Sequence, residues 1–286
     1  MTALAASHAG QPFAKGHGAG NDFVILPDPY GCLTLTAQEV AGLCDRRTGI
    51  GADGILRAVR CSAASEAAGM TAEAEWFMDY RNADGTLGQM CGNGIRVLAR
   101  YLVDTGYCPP GLLAIATRAG IRTVHVSHRT ADFEGPVTVD MGRPCLSGPA
   151  GITVTAGGRS WSAAHVDVGN PHAVVLVDDL QHPGDLTTPP VVNPTHAYPD
   201  GVTVEFVVRR SSHHLALRVH ERGVGETRAC GTGACAAVAV ALRTGAVADA
   251  FTVDMPGGRL RIAVLPDGSM QLTGPAAIVA HGTVRL

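Results

Sequence analysis

Two five-residue stretches, Met90-Cys91-Gly92-Asn93-Gly94 and Ala229-Cys230-Gly231-Thr232-Gly233, decide how this chain is read. Both have the pattern x-C-G-[N/T]-G. Each opens an apolar run, and each run stops at Thr-Gly fifteen residues past its cysteine, at Thr105-Gly106 and Thr244-Gly245. Nine residues before the cysteines stand Asn82 and Glu221, each beside a glycine-containing turn (Ala83-Asp84-Gly85, Arg222-Gly223). Further upstream, Ala19-Gly20-Asn21-Asp22-Phe23-Val24 is echoed by Val168-Gly169-Asn170-Pro171-His172-Ala173. Three features in one order, twice, mark an internal repeat. The expected organisation is two homologous halves, residues 1–132 and 133–286, divided in the polar stretch 128–136. A last strand near 276–286 is expected to pack back onto the first half.

The expected fold class is α+β. Segments 24–26, 76–80, 137–141, 173–177, 202–208, 215–219 and 260–265 read as strands bounded by Gly, Pro and Asp. Thr36-Ala37-Gln38-Glu39 is a capping box, opening a helix that should stop near Gly49. The run from Ala234 to Leu242 has no polar face. Such a helix is buried on all sides, which predicts a mixed sheet wrapped around one central helix, made twice, with the active site in the cleft between.

A cysteine just ahead of a buried helix stands where unpaired backbone N–H groups favour negative charge. That position is expected to draw the thiol pKa from about 8.5 toward neutrality. The flanking glycines let a ligand approach the backbone, so the same amides can hold a carboxylate. Two such helices facing across a cleft would put one sulfur on each side of a small acid, the arrangement that inverting a stereocentre requires. One thiolate takes the Cα proton from one face, and the opposite thiol delivers a proton to the other. Free cysteine is also a common core residue, and that reading suffices for Cys32, Cys44, Cys61, Cys108, Cys145 and Cys235. Core packing does not require a matched C-G-x-G in both halves, so Cys91 and Cys230 are the expected acid/base pair.

Composition narrows the alternatives. Of 286 residues, 46% are hydrophobic and 16% charged, which suits a buried core. A net charge of −3 with no Lys/Arg cluster argues against nucleic acid. The start of the chain lacks a signal-peptide pattern and no stretch is long enough to span a membrane, so a cytoplasmic protein is expected. No C-x-x-C pair and no trusted His spacing point to a metal. Of 22 basic residues only Lys15 is a lysine, which leaves a pyridoxal phosphate Schiff base one unpromising position; no cofactor is expected. Gly49-Ile50-Gly51-Ala52-Asp53-Gly54 has the spacing of a dinucleotide loop but follows a capped helix, so it reads as a turn, with Asp53 bordering the site. His17 is expected to be structural.

These residues resemble diaminopimelate epimerase, from about Phe13 to the C-terminus. The blocks that carry the resemblance are Lys15-Gly16-His17-Gly18-Ala19-Gly20-Asn21-Asp22-Phe23, Cys44-Asp45-Arg46-Arg47-Thr48-Gly49, Asn82-Ala83-Asp84-Gly85, both C-G-x-G motifs, Gly169-Asn170-Pro171-His172 and Glu221-Arg222-Gly223-Val224-Gly225-Glu226-Thr227. Asp79-Tyr80-Arg81-Asn82 and Val219-His220-Glu221-Arg222 are similar to the actinobacterial branch. The resemblance implies the doubled helix-in-sheet fold, a homodimer, and interconversion of LL- and meso-diaminopimelate without metal or pyridoxal phosphate, for lysine and peptidoglycan synthesis. It also implies catalysis by Cys91 and Cys230 and a pKa-adjusting pair at His172 and Glu221. Substrate-binding roles fall on Asn21, Asn82, Gly92, Asn93, Asn170, Glu221, Arg222, Gly231 and Thr232. Arg222 suits bidentate binding of a distal carboxylate.

One position departs from the family. Thr203 stands where Asn is usual, losing the amide fork while remaining a candidate substrate contact. The alternatives are therefore a two-thiol racemase or epimerase of another amino acid and, from a different class, a thiol redox protein. A racemase of the proline type usually has His in the first motif, where Asn93 stands here.

Overall fold

The computed structural model describes residues 10–128 and 135–286, so the division at 132/133 lies outside the described residues. In chain order the elements are β1 (Gln11–Gly18), β2 (Asn21–Pro27), α1 (Ala37–Cys44), β3 (Gly54–Arg60), β4 (Trp76–Asn82), α2 (Gly92–Asp104), β5 (Gly111–Thr117), β6 (Gly120–Val126) and β7 (Val137–Gly142). Then follow β8 (Thr153–Ala156), β9 (Arg159–Asp167), β10 (Pro171–Leu176), β11 (Val191–Asn193), β12 (Thr203–Arg209), β13 (His214–Glu221), β14 (Gly225–Thr227), α3 (Gly231–Arg243), β15 (Ala250–Met255), β16 (Gly258–Val264), β17 (Met270–Gly274) and β18 (Ala277–Val284).

The repeat seen in the motifs extends to the strand pairing. β1–β2 is antiparallel, β2–β3 parallel, β3–β4 antiparallel, β4–β5 parallel, and β5–β6 and β6–β7 antiparallel. From β9 the same sequence runs again. β9–β10 is antiparallel, β10–β12 parallel, β12–β13 antiparallel, β13–β15 parallel and β15–β16–β17 antiparallel. Two contacts weld the halves. β7 pairs with β17, and β18 pairs antiparallel with β1, from Gln11 opposite Val284 to His17 opposite Ala277. The C-terminal strand thereby stands beside β1 as β8 stands beside β9.

Each set of strands encloses a 13-residue helix. α2 packs against β1–β7 and β18, and α3 against β9, β10, β12, β13, β16 and β17. A helix enclosed this way has no solvated side, and α3 is buried from Gly231 through Ala241. Its Ala and Val side chains are small enough for strands to close around it. Each fully buried Val adds about 1.5–3 kcal/mol.

α2 differs from a wholly apolar central helix. Arg96 and Arg100 are fully buried in it. Arg96 donates to Gly92 O (2.9 Å), Asn93 Oδ1 (2.9 Å) and Pro275 O (3.4 Å), tying the start of the helix to the turn before β18. Arg100 donates to Ser127 O and Gly135 O on either side of the 129–134 segment. The guanidinium groups thus tie the enclosed helix to carbonyls of the segments around it, at Pro275, Ser127 and Gly135. The capping box on α1 forms as read, with Thr36 Oγ1 accepting from Glu39 N and Thr36 N donating to Glu39 Oε2. The helix ends earlier than Gly49, at Cys44. Asp45 adopts φ −62°, ψ 125°, and its carboxylate takes the N–H groups of Arg47 (2.8 Å) and Thr48 (2.6 Å). That side-chain turn competes successfully with another helical turn.

Replacing Arg96 by Leu leaves Asn93 Oδ1 without its charged donor in the interior. Urea denaturation should show a loss of about 2–3 kcal/mol, since a buried acceptor without a partner carries its full desolvation cost. An unchanged midpoint would show that the arginine contributes nothing net.

Candidate active site

Both cysteines are helix N-caps of nearly the same conformation. Cys91 has φ −137°, ψ 115° and accepts through Sγ from Gly94 N (3.3 Å); Cys230 has φ −130°, ψ 115° and accepts from Gly233 N (3.4 Å). The extended cap backbone turns each sulfur over the open end of its helix. The helix ends abut. A Cβ built on Gly92 would lie 3.5 Å from Gly231 Cα, and one on Gly231 would lie 3.4 Å from Gly92 Cα and 2.9 Å from Leu272 Cδ1. Asn93 Nδ2 crosses the junction to Ala229 O at 2.9 Å.

Glycine turns aim the polar residues at the same place. Asn21 follows the tight β1–β2 hairpin at Ala19 (φ 54°) and Gly20 (φ 78°), and Asn170 follows Gly169 (φ 90°). Asn82 ends β4 and Glu221 ends β13, each running into a turn with a positive-φ glycine, Gly85 and Gly223. A cavity of about 250 Å³ opens between the two helix starts.

The electrostatics oppose a resting thiolate. Burial pushes the Cys91 thiol up to about 12, and Glu221 adds to the effect against the pull of the Gly94 N–H. Burial, with the Glu221 and Glu205 carboxylates behind it, drives Cys230 well above the usual thiol range. The expected fall toward neutrality is therefore reversed. Two amide donors at about 3.3–3.4 Å do not repay the loss of hydration. Glu221 is itself raised by burial, and Thr227 Oγ1 donates to its carboxylate.

The model for diaminopimelate epimerase matches residues 13–146 and 164–279. The chain is 57% identical to a diaminopimelate epimerase of Streptomyces coelicolor, over 94% of each chain. It is 47% identical to that of Thermobifida fusca, over 96% of this chain and 98% of the relative. The chain belongs to the diaminopimelate epimerase family. In fold it also resembles a hydroxyproline epimerase from Agrobacterium vitis (TM-score 0.70, 15% identity, 98% and 93% of the two chains). A Bacillus anthracis phenazine biosynthesis protein of the PhzF family is equally similar (TM-score 0.70, 16% identity, 96% and 99%).

The positions carried over from the family converge. Asn21, Asn82, Cys91, Gly92, Asn93, Asn170, Thr203, Glu221, Arg222, Cys230, Gly231 and Thr232 all line the cavity. His172 does not. It is fully buried behind Asn170, with Nε2 3.2 Å from Asn170 Oδ1 and Nδ1 2.6 Å from Glu205 Oε1. The side chain of Asn93 is fully engaged within the protein, donating to Ala229 O and Asn21 Oδ1 and accepting from Arg96. What it can offer a ligand is its backbone N–H. Arg222 has one long contact, Nη1 to Asp200 O at 3.4 Å, and Thr203 Oγ1 accepts from Arg222 N at 3.3 Å.

Three participants escaped the sequence reading. Tyr80 lines the cavity and donates to Asn82 Oδ1 at 2.7 Å; its position two residues before Asn82 on a strand, hence on the same face, was the available signal. Arg122 on β6 lines the cavity, and no motif marks it. Glu205 is fully buried beside His172, an acid between the buried Val204 and Phe206 of β12. Asp53 borders the site as expected, accepting from Asn21 Nδ2 at 2.7 Å. Lys15 is paired with Asp22 at 2.6 Å and is not part of the lining.

Raised thiol pKa values mean protonated, unreactive sulfurs at neutral pH. In substrate-free protein at pH 7.5, iodoacetamide should modify Cys91 and Cys230 at least about tenfold more slowly than the exposed Cys32 and Cys145, and the rates at Cys91 and Cys230 should still be climbing well above pH 9. Peptide mass spectrometry reads each site. Equal rates at pH 7.5 would mean that the helix ends outweigh burial after all.

Proposed function

We propose that this protein interconverts LL- and meso-diaminopimelate by a two-thiol acid/base mechanism at Cα. As a member of the family it is an amino acid epimerase. The observation that carries the mechanism is the pair of cysteine N-caps, one from each half, on one small cavity.

The chemistry follows from that placement. A substrate carboxylate seated at the abutting helix starts faces N–H groups from both helices, whose positive ends favour an anion. Its Cα then lies between the two sulfurs. Because burial raises both thiols, binding must supply the charge stabilisation that lets one of them release its proton to solvent. The substrate ammonium, beside the Glu221 carboxylate, is suited to that. The thiolate takes the Cα proton, the carbanion's charge spreads into the carboxylate held by the amides, and the opposite thiol protonates the other face. The two cysteines have then exchanged states. Asn21, Asn82, Asn170, Thr203 and Arg222 would grip the distal amine and carboxylate, with Gly92, Asn93, Gly231 and Thr232 around the reacting end. His172 and Glu221 would tune the thiol pKa values.

The two halves, 1–132 and 133–286, are proposed as homologous units, which the matched strand order supports. The family resemblance further implies a homodimer and a cytoplasmic location. No helix among the described residues is long and apolar enough to cross a membrane.

Incubation of the reduced protein with LL-diaminopimelate in D₂O should show loss of the Cα–H signal by NMR. Cys91→Ser and Cys230→Ser should each lower the epimerisation rate about 10²–10⁴-fold, the usual contribution of a positioned acid or base. No exchange with diaminopimelate or any other amino acid would sink the epimerase reading.

A second reading, a related two-thiol epimerase with altered distal specificity, rests on Thr203. That side chain is 3% exposed, lines the cavity and already serves Arg222 N. Thr203→Asn adds an amide fork and should lower KM for diaminopimelate about threefold to tenfold, the effect of one added hydrogen bond. An unchanged or higher KM would remove Thr203 as a determinant of specificity.

A further inference from the structure

The repeat allows each position of one half to be compared with its counterpart in the other. In β2, Phe23 lies two residues after Asn21 and pairs with Gly54; in β10, His172 lies two residues after Asn170 and pairs with Thr203. Two residues further along the partner strands stand Leu56 and Glu205. Their equivalence is independently visible at the helix starts. A Cβ on Gly94 would meet Leu56 Cδ2 at 3.0 Å, and one on Gly233 would meet Glu205 Oε1 at 2.6 Å. Behind Cys91 the pair is thus Phe23 and Leu56, both apolar. Behind Cys230 it is His172 and Glu205, both ionisable and both fully buried.

A buried ionisable pair in place of an apolar one is costly, and the hydrogen bonds indicate what it does. His172 has an oxygen opposite each ring nitrogen: Glu205 Oε1 at 2.6 Å from Nδ1 and Asn170 Oδ1 at 3.2 Å from Nε2. Both contacts are satisfied only when the pair holds two protons. Either both nitrogens are protonated against a Glu205 carboxylate, or Glu205 is a carboxylic acid donating to Nδ1. In both forms Nε2–H donates to Asn170 Oδ1. The carboxamide of Asn170 is then held oxygen inward, and its N–H groups are left for the cavity it lines.

We propose that Glu205 is a positioning residue: acting through His172, it fixes Asn170 as a hydrogen-bond donor to the bound substrate, on the Cys230 side only. This rests on the epimerase reading and adds to it a member that does not touch substrate. The titratable groups facing the pair are Cys230, Glu221, Tyr198 and His165. None of them supplies a proton to Nδ1 if Glu205 is lost, because Nδ1 contacts Glu205 alone among the described residues. Without Glu205 either tautomer of His172 is open, and Asn170 is free to turn its oxygen toward a ligand carboxylate.

The test uses Glu205→Leu, which installs the residue found at the counterpart position, and Glu205→Gln, whose amide can still donate to Nδ1. In ¹⁵N-histidine-labelled wild-type protein at neutral pH, His172 should carry a proton on Nε2, its signals being assigned by their loss in His172→Gln. Glu205→Leu should disturb that tautomer and raise KM for diaminopimelate about tenfold, with kcat changed much less, as befits one inverted substrate hydrogen bond. Glu205→Gln should keep the tautomer and bring KM back to within about threefold. A wild-type His172 protonated on Nδ1 alone would overturn the proposal. So would a Leu variant with unchanged KM and ring signals, or a loss confined to kcat in both variants. If the Leu variant does not fold, the wild-type spectrum and the Gln variant still decide. The ring spectrum needs no substrate, so it reports on this chain of contacts even if the exchange experiment fails and the epimerase reading with it.

Discussion

The abutment of two helix starts at Gly92 and Gly231 is the constraint around which the rest of the molecule is arranged. Two positive helix ends approach each other there, an arrangement that favours a negative group between them. A Cβ on Gly231 would press on Leu272 Cδ1 at 2.9 Å, and the Asn93–Ala229 hydrogen bond ties the two helix starts together. The enclosing sheets make this possible. Each helix is surrounded by strands, and the two sets share the β7–β17 and β18–β1 pairings, so the ends cannot relax apart.

The same burial that fixes the helices decides the state of the thiols. Helix-end amides reach both sulfurs, yet desolvation dominates and leaves the pair protonated. On the proposed mechanism the site acquires a thiolate when substrate charge enters, so binding and activation are one event. The low-dielectric walls that raise the thiol pKa values also strengthen each charge interaction made once the ligand is bound.

Symmetry supplies the frame and departures from it supply the chemistry. Asn21 and Asn170 are alike, and so are the two caps. Asn82 faces Glu221, Phe23 faces His172, and Leu56 faces Glu205 across the pseudo-symmetry. Each of these three departures places the ionisable member in the second half, around Cys230. The two thiols of a nearly symmetric cleft are therefore electrostatically different, which suits an enzyme whose substrate has two unlike ends.

The sequence by itself determined the doubling, the two helix starts and the strands that lead to them. These depend on local rules: glycine where φ is positive, a cap ahead of a helix, apolar runs in enclosed elements. Of the thirteen site positions that the family resemblance assigned, twelve line one cavity, the Asn, Asn/Glu and Cys pairs among them because the repeat carries them to equivalent strand and helix ends. Tertiary structure alone decided the rest. Whether a helix end lowers a thiol pKa depends on how much water surrounds it, and that is a property of the closed sheets rather than of C-G-x-G. The engagement of Asn93, the burial of Arg96 and the pairing of Glu205 with His172 join residues up to 179 positions apart. Local pattern records which groups a strand presents; only packing determines which of them meet, and in what protonation state they can remain buried.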